Sequence, residues 1–222
     1  VNRIVFLDTE TTGIDADEHR VIEIGALEMV ERQLTGRSFH EYINPKRSID
    51  PGALKVHGIT EESLKDKPEF IAIADQLIEF INGAEVIMHN APFDQKFIDA
   101  ELKRNGKKIK MGDFCKITDS LKIARSLYPM QKNSLDALCN RLGVSNQHRT
   151  LHGALIDTEI LAEVYLKMTS SQEELNLKEN QIFSQELSEK KVSQIIRSKV
   201  VNPSNSEIER LKSFLKKHMK SS

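Results

Sequence analysis

The apolar residues of this chain change their period part-way along, and that change limits the folds open to it. Up to residue 43 they fall in short runs rich in β-branched side chains: Arg3–Asp8 (RIVFLD), Val21–Val30 (VIEIGALEMV) and a third run ending in Phe39–Ile43 after a turn near Gly36. Such runs read as strands, and connections this short suit antiparallel pairing. Pro45, Pro51 and Gly52 mark a loop leading to Val56-His57-Gly58. From Pro68 onward the spacing is helical. Phe70, Ile73, Ala74, Leu77, Ile78 and Ile81 share one face, with Pro68 near the start and Gly83 just past the end.

The order then runs on through a strand at Ala84–His89, a helix at Asp94–Asn105 closed by Gly106, and a strand at Phe114–Thr118. Helices follow at Asp119–Leu127, Ser134–Leu142 and Gly153–Met168. This is an α/β order with a mixed five-stranded sheet flanked by helices, the element order of the ribonuclease H-like fold. A P-loop and a G-x-G-x-x-G loop are both missing from the sequence, which disfavours nucleotide-hydrolase and dinucleotide-binding readings.

Residues 1–169 form the expected domain. Beyond them, 170–222 are rich in Ser, Gln, Glu and Lys, and read as a flexible tail. Within it Ser206-Glu207-Ile208-Glu209 has the form of a capping box, and Ile208, Leu211, Phe214 and Leu215 give one apolar face suited to docking on a partner. No run approaches a membrane span, and no signal peptide is evident, so a cytoplasmic protein is expected. Cys115 and Cys139 sit in apolar contexts without ligand-like spacing, as reduced core residues would. The net charge of -1 argues against a protein that grips a long duplex through many phosphates.

Three clusters carry chemistry. Asp8-Thr9-Glu10 ends the first strand, and residues two apart in a strand point to one side, so both carboxylates converge. Acids so placed repel unless a cation lies between them, and hard oxygens suit Mg²⁺ or Mn²⁺. His89-Asn90-Ala91-Pro92-Phe93-Asp94 follows a buried strand and opens a helix, where open α/β sheets build their sites. In His152-Gly153-Ala154-Leu155-Ile156-Asp157, five residues on a helix would part the two side chains by about 140°. His152 is therefore expected in the loop before the helix, free to swing, with Asp157 fixed within it.

Asp8-x-Glu10, Asn90-x-x-Phe93-Asp94 and His152-x-x-x-x-Asp157, in this order, resemble the three motifs of the DEDDh 3′→5′ exonuclease family. Within it, HNAPFD, FCKITDSLKIARSLYP, NSLDALCNRLGV and RTLHGALIDTEILAEVYLKMT resemble the proofreading (epsilon) subunits of bacterial DNA polymerase III, a likeness covering Arg3 to Thr169. The resemblance implies that Asp8, Glu10, Asp94 and Asp157 bind two divalent metal ions, Mg²⁺ or Mn²⁺, with His152 as general base. Thr11, His57, Asn90 and Phe93, with Asp8, Glu10 and Asp157, would contact the terminal nucleotide. Gly52 departs from the family, which often has an acid there. Gln172-Glu173-Glu174-Leu175-Asn176-Leu177 resembles sliding-clamp-binding peptides, through Gln172, Leu175 and Leu177.

The implied function is removal of mismatched 3′-terminal nucleotides during DNA replication by two-metal hydrolysis, with a rate that rises from mildly acid to alkaline pH as the base loses its proton. The implied partners are a DNA 3′ end, the polymerase catalytic (alpha) subunit, the sliding clamp (beta) and, as in some relatives, a small theta-like subunit, in the bacterial cytoplasm at the replication fork. Two other readings stay open: a stand-alone DEDDh nuclease of RNA or oligonucleotides, and a scaffold that bridges polymerase and clamp.

Overall fold

The computed structural model describes residues 3–146, 151–170, 209, 210 and 212. The chain divides into two units, Val1–Gln172 and Glu173–Ser222. Of the second, Glu209, Arg210 and Lys212 are described; they are helical and exposed. The clamp-type peptide at Gln172–Leu177 and the apolar residues Ile208, Leu211, Phe214 and Leu215 lie outside the described residues.

Five strands, β1 (Arg3–Thr11), β2 (Val21–Val30), β3 (Gln33–Tyr42), β4 (Glu85–Met88) and β5 (Lys116–Asp119), form one sheet in the order β3-β2-β1-β4-β5. β1, β2 and β3 pair antiparallel, and β4 and β5 add in parallel. The helices are α1 (Pro51–His57), α2 (Glu61–Leu64), α3 (Phe70–Ile81), α4 (Ala91–Arg104), α5 (Ser120–Leu127) and α6 (Leu135–Leu142), then α7 over residues 154–170. This is the mixed sheet with flanking helices that the periodicity predicts. No described helix is long and apolar enough to cross a membrane.

Strand alternation explains why β1 reads as an unbroken apolar run. Val5 and Leu7 enter one core cluster with residues of α3 and α4, while Ile4 and Phe6 enter another with α5, α6 and α7. A strand covered on both faces needs apolar residues at every position. Burying a side chain such as Phe6 stabilises by about 2–3 kcal/mol. Cys115 belongs to the first cluster and Cys139 to the second, and no bridge joins them.

Two local expectations are corrected. The β2–β3 turn falls at Glu31-Arg32 and not near Gly36: Val30 pairs with Gln33, and both turn residues have positive φ (49° and 63°). That is the geometry of a tight two-residue hairpin turn, adopted here without glycine. Gly36, at φ 82°, sits inside β3, where the register shifts. The extra residues wrap Thr35 and Arg37 onto the buried carboxylate of Glu28, which Arg3 also holds at 2.6 Å. The second correction is α1, read from sequence as a loop because of Pro51 and Gly52. Pro51 occupies the first turn, where its missing N–H costs nothing, and Gly58 closes the helix at φ 70°.

Candidate active site

The parity that sends Ile4 and Phe6 toward α7 also sends Asp8 and Glu10 that way, at the end of β1. Thr9, of opposite parity, donates from its hydroxyl (2.7 Å) and its backbone N–H (3.1 Å) to Asp94 Oδ1, in the first turn of α4. Sequence reasoning assigns Thr9 no separate role; its signal is its place between two acids. Asn90 starts α4 from a left-handed conformation (φ 73°), and its N–H donates to Asp119 Oδ1, the cap of α5. The ends of β1, β4 and β5 are thereby tied together around Asp94.

Asp157 lies in the first turn of α7, its N–H bonded to Gly153 O at 2.9 Å. His152 is in the loop before the helix, as expected, but it is not loose: Nδ1 lies 3.1 Å from Asp157 Oδ2, and its N–H donates to Val56 O. The helical angle said nothing about this contact because His152 has left the helix.

Asp8, Glu10, Asp94, Asp157 and His152 therefore line one cleft of about 250 Å³, with Asn90 and Phe93 on its rim. Ligand atoms of Glu10, His152 and Asp157 lie within 4.8 Å of one another. Glu10, Asp94 and Asp157 are buried, and among the described residues of the cleft wall there is no lysine or arginine. Burial pushes the Asp94 carboxyl up to about 7, against the pull of its Thr9 hydrogen bonds. Grouped hard-oxygen donors are what a divalent cation requires; Glu10 and Asp157 lie within reach of one ion together with His152, and Asp8 and Asp94 line the same cleft. The cleft wall also includes Ser134, Leu135 and Asp136 at the start of α6, residues to which the sequence reading gave no role.

A second cleft of about 440 Å³ adjoins the first, sharing Thr9, Glu10 and Phe93. Thr11, His57 and Gly52 line it. Phe93 packs on Phe97 at 4.9 Å between ring centroids, which fixes the ring between the two clefts. Thr11 donates its hydroxyl to Gly13 O at 2.6 Å and shapes the loop beyond β1. His57 Nδ1 accepts from Ile59 N–H, so the neutral ring carries its proton on Nε2. Among the described residues that buried nitrogen has no hydrogen-bond partner. Burial holds the His57 pKa below its ordinary value, opposed by the Thr11 carbonyl and Glu23. At Gly52 an added Cβ would meet nothing within 4 Å, so this wall of the cleft is open where a side chain could stand.

The four acids and the histidine thus meet in one place, and residues 5–165 match the family profile described as Exonuclease. The chain belongs to the exonuclease family. Its likeness to DNA polymerase III subunit epsilon of Haemophilus influenzae is 46% identity, over 97% of this chain and 90% of that protein. The Pasteurella multocida protein of the same name is 54% identical over 78% of this chain and 70% of its own length. The Escherichia coli protein is 47% identical over 89% and 84%. Among solved structures, exonuclease X in complex with 5′-overhanging duplex DNA matches with a TM-score of 0.60 and 26% identity, over 76% of this chain and 92% of that one. Escherichia coli exonuclease I with a dT13 oligonucleotide matches at 0.69 and 19% identity, over 79% and 42%, a likeness of fold. The DEDDh exonuclease and epsilon-type resemblance expected from the motifs therefore holds across the first unit of the chain.

Proposed function

We propose that this exonuclease removes mismatched 3′-terminal nucleotides from DNA as the proofreading subunit of a bacterial replicative polymerase. The observation that carries the reading is the convergence of Asp8, Glu10, Asp94 and Asp157, with His152, on one cleft. These four carboxylates would hold two divalent ions, Mg²⁺ or Mn²⁺. When bound, the ions supply positive charge to the scissile phosphate and to the leaving 3′ oxygen.

The chain's own residues do the rest. His152, its Nδ1 engaged by Asp157 Oδ2, takes the attacking water's proton at Nε2. Water oxygen bonds to phosphorus, the bond from phosphorus to the 3′ oxygen breaks, and a nucleoside 5′-monophosphate leaves. The second cleft receives the terminal nucleotide, with Phe93 against base or sugar and the His57 Nε2 proton as a donor to it. A terminal nucleotide must leave its partner to reach this position. A mismatched end does so at lower cost, so errors are removed without any reading of base identity.

The segment beyond residue 170 would tether the nuclease to the polymerase catalytic (alpha) subunit and, through Gln172, Leu175 and Leu177, to the sliding clamp (beta); a theta-like subunit is a further partner on this reading. Tethering would supply by local concentration the DNA affinity that a net charge of -1 does not. Such a protein works in the cytoplasm at the replication fork. The relatives' shared name, DNA polymerase III subunit epsilon, supports this assignment.

The test is a 5′-labelled primer–template, paired or mismatched at its 3′ end, incubated with Mg²⁺, Mn²⁺ or chelator beside a matched RNA strand. Metal-dependent shortening from the 3′ end, faster at the mismatch, is expected. Faster loss of RNA would move the assignment to a ribonuclease, and inactivity on every strand would leave a scaffold.

A further inference from the structure

The helix that delivers Asp157 begins without a cap of its own. Gly153 stands at the N-cap position, its carbonyl accepting from Asp157 N–H, and glycine has no side chain to accept from the exposed N–H groups of the first turn. The missing acceptor comes from a strand 131 residues earlier: Ala154 N–H donates to Glu23 Oε2 at 3.1 Å.

Glu23 pairs with Glu10 across β2 and β1, so its side chain rises on the face where the acids gather, and only 2% of it is exposed. It is not placed as a fifth metal ligand. Oε2 is taken by Ala154, and Oε1 lies 2.8 Å from His40 Nε2 on β3. Burial, together with the charge of the nearby Glu23 carboxylate, raises the pKa of Tyr42, the strand partner of Glu23 on β3. A carboxylate at a helix N-terminus further gains from the helix dipole. Two residues along β2, Gly25 completes the contact. A Cβ added there would lie 2.4 Å from Ala154 C and Leu155 N, so the helix backbone rests directly on the strand.

We propose that Glu23 is a positioning residue of the nuclease, seating the start of α7 on β2, with Gly25 as the clearance that lets it seat. Ala154 lies two residues after His152 and three before Asp157, so the seat fixes both at once. Their relation to Glu10 must hold within about 0.5 Å for shared ligands to work. The proposal rests on the nuclease reading of the cleft, but the geometry it asserts can be measured without turnover.

The experiment compares the full chain with Glu23→Ala, Glu23→Asp, Glu23→Gln and Gly25→Ala. Four quantities are read: urea stability, amide hydrogen exchange over residues 154–158 without metal, Mn²⁺ affinity, and kcat with KM for 3′ trimming. Glu23→Ala and Gly25→Ala should speed exchange at the helix start. They should also weaken Mn²⁺ binding by about 10- to 100-fold and lower kcat in proportion, with KM little changed. Glu23→Gln keeps a carbonyl for Ala154 N–H and should stay within about threefold of the parent in kcat and Mn²⁺ affinity, rescuing the bond without the charge. If Glu23→Ala does not fold, Glu23→Asp, one methylene too short to span Ala154 and His40, decides by the same losses. Folded variants with lowered urea stability but parental exchange, Mn²⁺ affinity and kcat would overturn the proposal, as would a Gln variant as impaired as Ala. If the parent itself cuts nothing while the exchange and Mn²⁺ effects appear, the seat stands and the nuclease reading falls.

Discussion

Glu101 and Asp94 lie on the same face of α4, about two turns apart, and both are buried, yet their surroundings are opposite. Glu101 is fully enclosed and fully matched: Arg20 reaches it with two bonds of 2.6 and 2.8 Å, and Val21 N–H adds a third. The pair raises the Arg20 pKa, chiefly through the Glu101 hydrogen bond. Asp94 accepts from the neutral donors of Thr9 and shares a cleft with Asp8, Glu10 and Asp157. The fold can neutralise a buried carboxylate where stability is the purpose. At the end of β1 it gathers several carboxylates around one cleft, where their mutual repulsion costs stability unless a cation arrives. The difference separates a structural acid from a working one on a single helix.

The sharpest way to break this contrast is to neutralise each acid in turn. Asp94→Asn, which keeps the acceptor for Thr9, should lower 3′ trimming by about 10³-fold or more in a single-turnover assay. Glu101→Gln should leave trimming per folded molecule unchanged while costing about 3–5 kcal/mol of unfolding free energy in urea, because Arg20 is left unmatched. Loss of activity in both, or of stability in both, would dissolve the distinction.

A smaller effect concerns pH. Folded Asp94 titrates at about 7, above its ordinary value of 3.8, so between those values the metal-free folded state holds a proton that the unfolded chain releases. Its contribution to stability is present at low pH and lost as pH rises toward 7. In chelator, Asp94→Asn should therefore melt above the parent, with a gap that widens up to about pH 7. Saturating Mn²⁺ should close the gap by stabilising the parent, by about 2.7 kcal/mol at 100 times its Kd. A gap that stays constant with pH would remove Asp94 burial as its cause.

Glu28 supplies the smallest test, with the opposite sign. Burial raises its pKa, but the bonds from Arg3 and Thr35 and the charges of Arg3 and Arg37 bring it below the ordinary value. Its stabilisation is thus present at neutral pH and lost as pH falls through the folded pKa. Glu28→Gln should cost about 1 kcal/mol near pH 7, and progressively less in acid, by urea unfolding at several pH values.

What could be read beforehand follows from the range of the forces involved. Strand parity placed Asp8 and Glu10 on one side, and helical period located α3, because both signals are local. Glu31-Arg32 escaped notice because a tight turn usually advertises itself with glycine, and α1 hid behind a proline that is harmless in a first turn. Asp94 and Asp157 were found through motif resemblance, since no local pattern says that two helix starts meet at one strand end. The Glu23–Ala154 bond and the Arg20–Glu101 pair join residues far apart in sequence, and only the packed sheet brings them together.

The most direct test of the account is a Mn²⁺ titration followed by the loss of free-ion electron paramagnetic resonance signal, on the parent, Asp8→Ala/Glu10→Ala and Glu101→Gln. Two ions per chain are expected in the parent, the same in Glu101→Gln, and loss of tight binding in the double variant. Binding that survives in the double variant, or that is missing from the parent, would contradict the claim that the clustered acids of this cleft exist to hold metal.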